Sequence, residues 1–137
     1  MPSGKRHYRL TVDEALAAHA GELGCGVRDG ILDLGRIEAA VNRPYIGYYR
    51  SMAKKCAALT ESLCCNHGFV DGNKRTCLFL VLLLLRHSDF DLIALHGEDR
   101  QDALENLLVD TAAGRLSFAD LEAWFSARVR RRGTTTA

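Results

Sequence analysis

The sequence predicts an all-α fold, a compact bundle of about six helices with a functional loop leading into a central buried helix. Three observations carry the prediction. Apolar residues recur at helical spacing along most of the chain, capping residues stand where several of those patterns begin, and the prolines are only Pro2 and Pro44. The 137 residues suffice for one domain with a core of its own. Apolar residues at 47% and charged residues at 26% describe a globular chain and not a disordered one.

Thr11 followed by Glu14 is a capping-box pattern and opens the first helix. Its apolar face takes Val12, Leu16, His19, Ala20 and Leu23, and the glycines Gly24, Gly26 and Gly30 end it. Asp33 caps a short second helix through Ile37, Ala40 and Val41, which stops before Pro44. Tyr49, Met52, Cys56, Leu59 and Leu63, spaced 3, 4, 3 and 4 apart, form one stripe of a third helix that stops near Asn66. The fourth helix runs from near Asn73 to about His87 and is apolar on all sides from Cys77 to Leu85, as a central core helix would be. Leu92 to Leu95 reads as a short extended segment. Leu104, Leu107, Leu108 and Thr111 mark a fifth helix ended by Gly114. Ser117 with Asp120 forms a weaker cap for the sixth, through Leu121, Trp124, Phe125 and Val129. Residues 130–137 are expected to fray, with Arg128, Arg130, Arg131 and Arg132 a solvated end.

Charge excludes some functions. Eighteen Lys and Arg against 17 Asp and Glu leave a net charge of +1, so there is no basic surplus for nucleic acid or for an anionic membrane surface. Lys5, Arg6 and Arg9 are not followed by the apolar stretch of a signal peptide. The longest apolar run, Cys77 to Leu85, falls short of the about 20 residues of a membrane span. The 5 cysteines are odd in number and lack a C-x-x-C pair, and the adjacent Cys64 and Cys65 are poorly placed for a disulfide. The expectation is a reduced, cytoplasmic protein with small buried thiols.

Chemistry concentrates between the third and fourth helices, in Asn66-His67-Gly68-Phe69-Val70-Asp71-Gly72-Asn73-Lys74-Arg75-Thr76. An imidazole, a carboxylate, a carboxamide and two cations share this stretch with two glycines. A loop meeting a helix N-terminus offers unpaired N–H groups and a favourable dipole for an anion. Lys74 and Arg75 in that first turn oppose the dipole, which an incoming phosphate would reverse. Each residue alone also has a plain reading: solvated charge for Lys74 and Arg75, a helix cap for Asp71, a surface imidazole for His67. Gly68 and Gly72 are too close for a Walker A loop, and the protein-kinase motifs are absent. A zinc site from Cys64, Cys65 and His67 lacks an evident fourth ligand.

The motif His67-x-Phe69-x-Asp71-Gly72-Asn73-Lys74-Arg75-Thr76 resembles the signature of the Fic/Doc superfamily, in its death-on-curing (Doc) toxin branch. The broader Fic pattern is His-Pro-Phe-x-x-Gly-Asn-Gly-Arg; here Gly68 stands for the proline and Lys74 for the second glycine, the departure that marks the Doc branch. Leu10 to Ala15 and Ile37 to Pro44 also look like the family's first helices, and Gly114 to Trp124 like its ending. The resemblance implies one Fic/Doc-like domain over residues 1–137. It implies a toxin that uses ATP and Mg²⁺ to phosphorylate a Thr or Ser hydroxyl on a protein, elongation factor Tu, under control of a cognate antitoxin. His67 would be the general base, with Asn73 and Arg75 also catalytic. Gly72, Asn73, Lys74 and Arg75 would bind the nucleotide phosphates, and Asp71 would hold the metal. Tyr45, Tyr48 and Tyr49 fall where family members hold the target segment, against a plainer reading as packing. AMP transfer to a protein hydroxyl, and a non-catalytic binding module of the same fold, are the alternatives.

Overall fold

Five of the helices begin on a side chain that closes their first turn, and the sixth does not. The computed structural model describes residues 7–21, 30–69 and 71–133. Among them lie α1 (Val12–Gly21), α2 (Leu34–Asn42), α3 (Met52–Cys65), α4 (Asn73–His87), α5 (Arg100–Ala112) and α6 (Phe118–Arg128). A 3₁₀ turn, Arg43–Tyr45, follows α2, and two short strands are β1 (Phe90–Leu92) and β2 (Val129–Arg131). Thr11 and Glu14 form the reciprocal box ahead of α1. Asp33, Ser51 and Asp99 cap α2, α3 and α5. Ser117 and Asp120 close a full capping box on α6, stronger than the sequence pattern suggests. The exception is α4, which starts on Gly72 with no side-chain cap.

The core gathers around α3, which packs against α2, α4, α5 and α6. Small residues on its buried face, Cys56, Ala57 and Ala58, let neighbours approach, and Leu59 and Leu63 fill the space between them. Cys77, Leu80, Val81, Leu84 and Leu85 of α4 are buried. That helix is not enclosed all round, because Phe79 remains 47% exposed. No described helix is long and apolar enough to cross a membrane.

Two readings of the sequence shift. In α1 the buried residues are Ala15 and His19; Val12 and Leu16 are half-buried and Ala20 is exposed. Leu23, Gly24 and Gly26 lie outside the described residues. The extended segment expected at Leu92 to Leu95 begins earlier, as β1, and pairs antiparallel with β2 in the register Phe90 with Arg131 and Leu92 with Val129. The first part of the expected frayed tail is therefore a strand. Its arginines are engaged: Arg128 is buried, donates Nε to Glu98 at 3.1 Å and lies 4.1 Å over the Trp124 ring, while Arg132 pairs with Asp91 at 2.9 Å. The Arg128 guanidinium holds the Glu98 carboxyl below its ordinary range.

The tyrosines after Pro44 are mostly packing. Tyr49 is buried, and its hydroxyl accepts from Arg43 Nε at 3.0 Å. Tyr45 accepts from the Leu10 N–H at 2.9 Å and donates to the Tyr8 carbonyl at 2.7 Å, tying the segment before α1 to the turn after α2. Burial pushes its phenol up to about 12. An unfolded tyrosine ionises near 10, so this group's contribution is present in full below about pH 10 and is lost as pH rises to about 12. Tyr45→Phe is expected to cost about 1–3 kcal/mol, because the buried Leu10 N–H loses its partner. Thermal unfolding of both proteins across the alkaline range checks this, with the wild type losing stability more steeply than Tyr45→Phe.

Candidate active site

The segment between α3 and α4 is held from several sides. The chain leaves α3 through Asn66, whose N–H caps back to Ser62 at 2.9 Å and whose carbonyl accepts from Arg36 Nη1 at 3.1 Å. His67 then takes φ +52, a left-handed conformation unusual outside glycine, and its side chain stands exposed. The Gly68 carbonyl accepts from the N–H groups of Leu32 and Asp33 at 2.9 and 3.0 Å, and Ile31 makes an antiparallel bridge to Phe69. A Cβ at position 68 would lie 2.5 Å from Cγ1 of Ile37 and 3.3 Å from its backbone nitrogen. The approach of α2 thus gives a physical reason for glycine where the broader Fic pattern has proline.

The turn into α4 carries no side-chain cap. Gly72 adopts φ +81, in the left-handed region that favours glycine. Asp71 does not cap the helix: its Oδ1 accepts from the Gly72 N–H at 2.9 Å, one residue too early. The intrahelical ladder begins with Thr76 N–H to the Gly72 carbonyl at 2.9 Å, so the N–H groups of Asn73, Lys74 and Arg75 belong to the first turn, ahead of that bond. Lys74 and Arg75 are exposed beside them. His67, Asp71, Gly72, Asn73, Lys74 and Arg75, with Cys64 and Ala112, line one cavity of about 290 Å³. All the residues expected of the site are therefore together.

Asn73 has a different part from the one expected. Its Oδ1 accepts from the Phe69 N–H at 3.1 Å and its Nδ2 donates to the Phe69 carbonyl at 3.0 Å, so the carboxamide braces the loop from within. Its backbone N–H lies in the first turn of α4. Thr76 is fully buried and out of reach. A zinc set from Cys64, Cys65 and His67 is not formed among the described residues: Cys64 is buried while Cys65 and His67 are exposed, and no cluster there suits a metal by itself. The Asp71 carboxylate, sharing a cavity with the start of α4, fits Mg²⁺, which takes one or two protein carboxylates and completes its shell with other oxygens.

Three contributors escaped the sequence reading. Arg36 and Ile37 of α2 hold and crowd the loop, and His19 of α1 reaches it from the other side. Beside the cavity, Lys74 and Arg75 also border a larger groove of about 510 Å³ between α4 and α5, floored by Leu78, Phe79, Leu82, Leu108 and Val109. Tyr48, 78% exposed, stands before the N-terminus of α3, whose 14 residues place it about 20 Å from this loop.

Residues 9–85, from just before α1 to the last turns of α4, match the Fic/DOC family. The protein named Toxin Doc from Mycolicibacterium smegmatis (strain ATCC 700084 / mc(2)155) is 36% identical over 92 residues, a stretch covering 64% of this chain and 71% of that protein.

The close approach of α2 can be tested apart from any activity. Gly68→Ala is expected to destabilise the protein by about 1–3 kcal/mol, because Ile37 or the loop must move. The penalty should shrink in an Ile37→Ala background, where Cγ1 is gone. Urea unfolding of the four proteins in this cycle measures the coupling. Equal penalties in both backgrounds would mean that the loop adapts without involving the Ile37 side chain.

Proposed function

The chain belongs to the Fic/DOC family, and from that membership we propose that it is a Doc-type toxin that transfers the γ-phosphoryl group of ATP to a Thr or Ser hydroxyl on a protein, elongation factor Tu, and so stops translation. The observation that carries this reading is the uncapped, cation-bearing first turn of α4, sharing one cavity with an exposed imidazole. Phosphoryl transfer needs chiefly positioning and charge neutralisation, and both are within reach of so small a site.

His67 accepts the proton of the incoming hydroxyl as its oxygen bonds to the γ-phosphorus. The bond from that phosphorus to the β,γ-bridging oxygen breaks, and ADP leaves. The N–H groups of Asn73, Lys74 and Arg75 face the phosphate oxygens, with the Arg75 fork and the Lys74 ammonium adding charge. Asp71 would hold Mg²⁺, which would supply charge neutralisation for the transferred group. Lys74 occupies the position where the broader Fic pattern has a glycine, adding bulk and charge where a bare backbone would otherwise meet phosphate. That departure supports γ-phosphoryl over AMP transfer. A protein substrate is supported by Ile31, Leu32 and Leu34, exposed apolar residues beside the loop. The relative's name speaks of a toxin, and a toxin needs restraint. The apolar groove between α4 and α5 suits a segment of a cognate antitoxin that folds as it binds.

Incubation with ATP labelled at the γ-phosphate, Mg²⁺ and elongation factor Tu tests the reading. A mass gain of about 80 Da on the target supports phosphoryl transfer, and about 329 Da would instead indicate AMP. His67→Ala should lower the rate about 10²–10⁴-fold while the thermal midpoint stays near that of the wild type. Lys74→Gly should reduce phosphorylation, and unchanged phosphorylation would show that nucleotide orientation is decided elsewhere. A folded wild type that transfers neither group would leave the binding-module reading standing.

A further inference from the structure

Histidine is an uncommon choice for the buried face of a short helix, yet His19 in the last turn of α1 is only 5% exposed. Its ring lies flat on Phe69, with centroids 3.9 Å apart and planes inclined by 7°. Its Nε2 lies 2.7 Å from the backbone carbonyl oxygen of Asp71. A carbonyl only accepts, so Nε2 carries the hydrogen and donates. One side chain thus grips the loop on both sides of position 70. Packing alone does not require this residue, since a Leu or Phe would cover Phe69 equally well. The donor is what distinguishes histidine here.

We infer that His19 is a positioning residue that sets the Asp71 carboxylate in place by fixing the plane of the Asp71–Gly72 peptide. That peptide unit is rigid, and its carbonyl and N–H lie in one plane. His19 holds the carbonyl end, and the N–H end is the group that the Asp71 Oδ1 accepts from at 2.9 Å. Rotation of this plane would carry the Gly72 N–H away from the carboxylate and disturb the φ +81 turn that opens α4. Upstream the loop is anchored by Arg36, Leu32 and Asp33. At Asp71 it is anchored from α1. The consequence for metal binding rests on the phosphotransfer reading above, while the claim about the peptide plane does not.

Two substitutions separate the donor from the ring. His19→Phe keeps a flat ring on Phe69 and lacks the N–H, and His19→Gln keeps an N–H and lacks the ring. Both are compared with the wild type by circular dichroism, by calorimetric binding of Mg²⁺·ATP and by amide hydrogen exchange at Gly72 without nucleotide. His19→Phe is expected to stay helical, to exchange the Gly72 amide faster and to bind Mg²⁺·ATP about tenfold or more weaker, as losses of supporting partners around metal ligands typically do. His19→Gln should recover part of both losses. Unchanged Gly72 exchange and Mg²⁺·ATP affinity in folded His19→Phe would overturn the inference. Should His19→Phe not fold, a Gly72 amide in His19→Gln as exposed to exchange as in the unfolded chain would overturn it as well. A wild type that binds no Mg²⁺·ATP would sink the phosphotransfer reading, and Gly72 exchange would still decide the role of His19.

Discussion

Leu80, Val81, Leu84 and Leu85 lock α4 into the core, and the position of its first turn follows from theirs. Each fully buried aliphatic side chain contributes about 1.5–3 kcal/mol through removal from water, and a one-residue slip of the helix would turn them all away from their seats. Because the helix is rigid, its N-terminal N–H groups inherit this placement. Asn73 passes it back into the loop by bonding both backbone groups of Phe69. Phe69 is itself fully buried, so a core residue lies within the chemical motif, two positions from His67 and two from Asp71.

Against that background the start of α4 stands out for what it lacks. A missing side-chain cap costs a helix about 1 kcal/mol, and cations in the first turn oppose the dipole by some tenths more each. The other five helices avoid the first cost with Thr11, Asp33, Ser51, Asp99 and Ser117, although α2, α3 and α5 also carry Arg36, Lys54 and Arg100 in their first turns. A chain that caps so consistently and then omits the cap at one place marks that helix N-terminus as a position where a ligand could meet it. The left-handed φ of His67 beside it is a further local cost. Packing elsewhere tolerates these costs, and their clustering within a few residues identifies the site more securely than any one of them.

Much of this was legible in the sequence, and the legible part is local. Capping pairs such as Thr11 with Glu14 and Ser117 with Asp120 act over three residues, and the bounds of α4 followed from Asn73 and the apolar run behind it. The motif also placed every expected site residue in one cavity. What could not be read depends on partners far along the chain. β1 exists because Val129–Arg131 returns to it, and the buried Arg128 is tolerated because Glu98 waits 30 residues away. The inward turn of Asn73 was hidden because a carboxamide serves an anion or a backbone equally well. The oddity of a histidine among apolar neighbours at position 19 was visible, but nothing local said what it would meet.

The candidate loop is therefore a joint product of a contiguous motif and of residues outside it. The motif supplies the groups proposed to do chemistry, whereas α2 supplies a wall against Gly68 and an anchor for Asn66, and Leu32 and Asp33 just before it anchor Gly68. Helix α1 supplies the grip at Asp71. An intact motif is then insufficient for a working site, because a chain with the same eleven residues and an altered α1 or α2 would carry the groups without their geometry. The separation between a transferase and a binding module of this fold need not lie within the motif. It can lie in the helices that hold the loop, where a change at His19 or Ile37 would leave the chemical signature untouched.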